Sequence, residues 1–165
     1  MRSSFHRPGS AVLITFLAVV GARPAEAADI NWIGGSSFWD LVTNWGSNPV
    51  LPGAGDNVFI NVAGAQTVTH RSGTNTVNSL SILGDDMLAV TGGSLTVANN
   101  FSAGASTSIS AGTLTLNGAS TMASLALSGG VLGGTGSLVV GDASSWLAGN
   151  QTGTGTTRSP SPAAA

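Results

Sequence analysis

From Asn57 onward, apolar residues return at every second position in short runs: Val58, Ile60 and Val62 form one, and Leu80 and Ile82 another. Alternation of this kind, bounded by Gly, Asn and Asp, predicts half-buried strands. Three later segments share a longer layout: LAVTGGSLTV (88–97), SISAGTLTL (108–116) and LALSGGVL (125–132). Each has alternating apolar positions, a small-residue turn, and alternating apolar positions again. Val90, Ile109 and Leu127 fall 19 and 18 residues apart, and Leu95, Leu114 and Leu132 repeat the same two intervals. The interval therefore belongs to a unit larger than a strand. The strands around Val77–Ile82 and Gly136–Val140 have the same style without the strict spacing.

A period of about twenty residues holding two or more short strands and glycine corners suits one rung of a parallel β-solenoid. Equivalent residues would then stack at about 4.8 Å, with apolar columns inside and Ser, Thr and Asn columns outside. A β-sandwich of hairpins is the alternative, since its strands also recur at short intervals with turn signals. The solenoid is preferred because the repeat carries a pair of strands together with their turn.

Composition agrees with strands and turns. Hydrophobic residues make up 42% of the chain but charged ones only 7%, so the polar surface must come from hydroxyls and amides. Ser, Thr and Asn compete with helical hydrogen bonds, and Gly weakens helix interiors. The expected organisation is a signal peptide over 1–27, a Trp-rich cap with the first strands over 28–64, solenoid repeats over 65–148, and a flexible tail over 149–165. The tail is assigned on its lack of apolar periodicity and its closing Ser/Pro/Ala run.

The N-terminus carries Arg2, His6 and Arg7, an apolar stretch from Ala11 to Ala22, and the small-x-small site Ala25-Glu26-Ala27. That is the plan of a secretory signal peptide cleaved after Ala27, and the apolar stretch is too short for a transmembrane helix. Export is the expected localisation, with no membrane span in the mature chain. That chain holds Arg71 and Arg158 against Asp29, Asp40, Asp56, Asp85, Asp86 and Asp142, a formal charge of −4, and has no lysine. Nucleic-acid binding needs a basic surface, so it is set aside. The absence of cysteine excludes disulfides and thiolate chemistry, which fits a bacterial surface protein.

A resemblance rests on Trp32-Ile33-Gly34-Gly35, Trp39-Asp40, Asn44-Trp45, Pro52 and Gly55-Asp56-Asn57-Val58-Phe59-Ile60, with Leu147-Ala148-Gly149-Asn150-Gln151-Thr152 near the other end. In these residues the chain resembles the bacterial surface proteins with autotransporter-associated β-strand repeats. The resemblance implies a right-handed parallel β-helix and an exported passenger serving adhesion, matrix or surface display, in association with the outer membrane. Such proteins end in a membrane β-barrel. The residues after Val140 are too few for one, so the chain is expected to be a fragment of a longer passenger or a freely secreted module.

Parallel β-helices also include polysaccharide lyases and hydrolases, and that alternative would rest on the acids and the single histidine of the mature chain. Asp85-Asp86 and Asp56 sit where acids commonly make turns. His70, the only histidine of the mature chain, falls in an expected exposed turn, and no G-x-S-x-G elbow accompanies it. Gly133–Leu138 imitates a calcium repeat but has leucine where the aspartate belongs. The expectation is a protein that is not an enzyme and has no cofactor or metal, with cell-surface glycans or other surface proteins as partners.

Trp32, Trp39 and Trp45 leave two readings open. Exposed indole faces would form a glycan-binding platform, making the chain a carbohydrate-binding module. Buried indoles would instead close the first rung, where a solenoid's interior and strand edge otherwise meet water. The cap is preferred.

Overall fold

The computed structural model describes residues 27–159, so the predicted signal peptide lies outside the described residues except for Ala27. The strands in chain order are β1 (Asp29–Asn31), β2 (Ser37–Phe38), β3 (Asn57–Ile60), β4 (Thr67–His70), β5 (Thr74–Val77), β6 (Ser79–Ile82), β7 (Met87–Val90), β8 (Ser94–Val97), β9 (Phe101–Ile109), β10 (Thr113–Leu116), β11 (Ser120–Gly133), β12 (Ser137–Gln151) and β13 (Thr156–Arg158). All strand pairings are parallel. A sandwich needs antiparallel hairpins, so that alternative fails. The chain is a β-solenoid of about 5 turns.

The strands form three stacks. The first runs β1, β3, β6, then the opening residues of β9, β11 and β12, and ends on β13. The second joins β2, β4 and β7 to the middle of the long strands, and the third joins β5, β8 and β10 to the far end of β11. Alternation places Val58, Leu80 and Phe101 in one inward column of the first stack, all buried. Ile60, Ile82, Ala103 and Met122 form the next. Where Phe101 enlarges its column, the neighbouring Ala103 is small, and one rung later Ser120 and Met122 reverse the sizes. The large and small residues thus alternate between the two columns from rung to rung, which lets neighbouring side chains interdigitate.

The repeat is in register as read. Val90 stands opposite Ile109, which stands opposite Leu127, and Leu95, Leu114 and Leu132 align in the same way. Spacing is strict here because the corner between the second and third stacks is always the three residues 71–73, 91–93, 110–112 or 128–130. Gly73, Gly93, Gly112 and Gly130 occupy this corner with φ between 66° and 83°. A Cβ at Gly112 would also meet the backbone of Gly92 and Gly93 at 2.6 Å, so the column tolerates only glycine. The corner between the first and second stacks instead shortens, from 61–66 to 83–86 to a bend inside β9. Those extra residues explain why the early rungs escape the strict period.

The expected tail boundary at 149 does not coincide with the end of the rungs. Strand β12 continues to Gln151, where Asn150 and Gln151 pair with Val131 and Leu132, and β13 pairs with the start of β12. Backbone pairing extends the stack here through polar, exposed residues, which apolar periodicity does not detect.

Candidate functional site

The aromatic segment forms one cluster at the N-terminal end. Strand β1 lays Trp32 beside Ile60, its N–H donating to the Phe59 carbonyl at 2.8 Å. Pairing of β2 with β4 places Trp39 over His70, with ring centroids 6.0 Å apart. A short 3₁₀ turn, Val42–Asn44, returns the chain so that Trp45 bridges Trp32 in antiparallel fashion. Trp45 wedges between its partners, 4.8 Å from Trp32 at 82° and 4.6 Å from Trp39 at 65°. These edge-to-face arrangements suit the ring quadrupole. Trp45 Nε1 donates to the Trp39 carbonyl at 2.8 Å, and Trp32 Nε1 to the Gly35 carbonyl at 3.1 Å. Trp39 Nε1 is buried without an acceptor among the described residues.

The three indoles are 3%, 1% and 0% exposed in chain order. That corrects the glycan-platform expectation for Trp32, Trp39 and Trp45, because stacking on a sugar needs free and roughly coplanar faces. Here each face or edge is covered by a neighbouring indole or by the first interior rung.

His70 corrects a second expectation, that of an exposed turn. It is fully buried, with Nδ1 2.9 Å from the Gly92 carbonyl oxygen and Nε2 3.0 Å from Asn75 Oδ1. His70 and Asn75 occupy the columns that Val90 and Leu95 fill one rung later. The rung beneath the cap therefore has a polar pair at interior positions. Both imidazole nitrogens are engaged, so the ring acts as a structural crosslink between rungs.

The acids are similarly engaged. Asp86 is buried, and its carboxylate accepts from the backbone N–H of Val62 at 2.8 Å and of Gln66 at 2.9 Å, fixing the longest corner loop. Asp56 accepts from the Gly53 N–H at 2.7 Å, the turn role expected of it. Asp85 is exposed in the turn beside Asp86. The side chain of Asp142 lies outside the described residues. Asp40 takes a two-pronged ion pair from Arg71, Nε to Oδ1 and Nη2 to Oδ2 both at 3.1 Å, while the guanidinium lies 3.6 Å over the Phe38 ring. This clip ties the cap loop to the end of β4, and the Arg71 hydrogen bond holds the Asp40 carboxyl below its ordinary value of 3.8. Among the described residues no three metal-ligating side chains come together.

One ladder was missed in the sequence. Asn57 Nδ2 donates to Asp29 at 3.0 Å, Asn78 Nδ2 to Asn57 at 2.8 Å and Asn99 Nδ2 to Asn78 at 2.6 Å. Its signal was available, since the three asparagines recur at 21-residue intervals. No family model, curated protein or solved structure matches this chain.

Proposed function

We propose that this chain is an exported structural and adhesive module of a bacterial surface or extracellular matrix, built on the plan of the autotransporter-associated β-strand repeat proteins. The observation that supports it most is the behaviour of the segment carrying the resemblance: Trp32 to Trp45 forms a lid over the first rung. A lid directly after a cleaved signal peptide gives a solenoid that begins folding at its N-terminal end as it is exported. Successive rungs then add in order, each on the last. The work of such a module is to present long, uncharged faces at a distance from the cell.

Export is tested by producing the full chain in a Gram-negative host, fractionating the cells and sequencing the N-terminus of the product. The expected product lies outside the cytoplasm and begins at Ala28. Cytoplasmic protein with an intact N-terminus would overturn the proposal.

A further inference from the structure

The third stack presents an outward surface unlike the other two. Thr74, Ser94 and Thr113 stand in one column and Thr76, Thr96 and Thr115 in the next, and the pairings that align them contain no register break. Directly beneath, Val77, Val97, Leu95 and Leu114 are fully buried, so the array rests on close-packed core. Among the described residues, the threonine hydroxyls that make hydrogen bonds are those of Thr135, which donates to the Asn117 carbonyl, and Thr157, which accepts from the Gln151 amide; none belongs to this array. The asparagine ladder on the adjacent corner, by contrast, is satisfied within itself. The strands Thr74–Val77, Ser94–Val97 and Thr113–Leu116 carry no charge and no aromatic ring.

Parallel stacking separates equivalent hydroxyls by about 4.8 Å between rungs and about 6.6 Å along a strand, two residues at ~3.3 Å. Threonine is stiff at χ1, so hydroxyl and methyl orientations are held rather than averaged. The result is a two-dimensional grid of unpartnered hydroxyls and methyls with repeats comparable to the oxygen repeats on hexagonal ice. We propose that this face binds ice, through Thr74, Thr76, Ser94, Thr96, Thr113 and Thr115. Water held on the grid joins the ice lattice without reorientation. A polysaccharide fits less well, because sugar rings are gripped by aromatic faces and this sheet has none. The proposal is independent of the export reading.

The test is partition between ice and liquid during slow growth of a single ice crystal in a solution of the full chain. Protein in each fraction is read by tryptophan absorbance. The wild type is expected to be enriched in the ice. Thr96→Tyr, which raises a bulky ring at the centre of the grid, is expected to lose that enrichment. Ser102→Tyr, outward on the first stack, is expected to retain it. Circular dichroism checks each fold, and Thr76→Tyr, at the border of the grid, replaces Thr96→Tyr if the latter unfolds. Exclusion of the wild type from the ice would overturn the proposal, as would equal loss in Ser102→Tyr. Retention of a folded wild type on crystalline cellulose or chitin, abolished by Thr96→Tyr while ice partition is unaffected, would overturn it too and assign the face to a polysaccharide.

Discussion

The two ends of this solenoid face the same problem and differ in how they meet it. At the N-terminal end, Trp32, Trp39 and Trp45 cover the interior columns and hold one another in place. At the C-terminal end, Trp146 continues the column of Leu127 but is 57% exposed, and Leu147 is 83% exposed. Beside it a cavity of about 90 Å³ is lined by Leu125, Leu127, Leu132, Val140 and Trp146. The same residue type is thus a plug at one end and a half-covered edge at the other. The difference lies in connectivity: the 3₁₀ turn folds Trp45 back across the N-terminal end, whereas β13 covers only the first stack. In a structure where each rung touches only its neighbours, such asymmetry should appear as a gradient of local stability.

The largest effect should come from removing the plug. Trp45→Ala deletes the central indole and should cost about 3–5 kcal/mol, whereas Trp146→Ala should cost less than about 1 kcal/mol because little burial is lost. Denaturant titrations of both variants measure this contrast. Comparable losses would mean that the ends are equivalent.

Cutting between the ends should sharpen the contrast. Gly112→Ala forces a side chain into φ 72° and against the neighbouring corner at 2.6 Å. A loss of about 2–4 kcal/mol is expected. The rungs on the C-terminal side should then melt in a separate, earlier transition, visible by calorimetry.

These effects follow from features of unequal visibility in the sequence. The columns through Val90, Ile109 and Leu127 were legible because the glycine corner keeps a constant length, so stacking became periodicity. The neighbouring rung at 67–77 was not, because His70 and Asn75 fill interior positions with polar groups set against each other and the Gly92 carbonyl. Pattern reading sorts polar residues outward and cannot see such a pair. The tryptophan segment was legible as an end feature, but its burial depends on the turn that brings Trp45 back to Trp32. Asp86 looked like any turn acid, since its partners lie 20 and 24 residues away across a corner.

Smaller perturbations should refine the gradient from within. Thr107 is fully buried between Leu88 and Leu125, and its hydroxyl has no partner among the described residues. Thr107→Val keeps the shape and removes the buried hydroxyl, so it should stabilise the middle rungs by about 1 kcal/mol. Thermal melting checks this through a rise of about 2–4 °C.

The smallest effect concerns the clip on the cap loop. The pair of Asp40 and Arg71 is partly exposed, and Asp40→Asn should cost no more than about 1 kcal/mol at neutral pH. Because pairing lowers the folded-state pKa of Asp40, its contribution is complete above the unfolded value and is lost as pH falls through the folded one. The stability difference between Asp40→Asn and wild type should therefore shrink below about pH 4. A difference that stays constant down to pH 2 would assign it to something other than the ion pair.

Hydrogen exchange followed rung by rung in the full chain tests the central claim, a solenoid sealed at its N-terminal end by the tryptophan cluster, most directly. The account predicts slow exchange in Asn57–Ile60 and Ser79–Ile82, faster exchange toward Ser137–Gln151, and loss of the N-terminal protection in Trp45→Ala. Uniform protection along the stack, or N-terminal protection that survives Trp45→Ala, would contradict it.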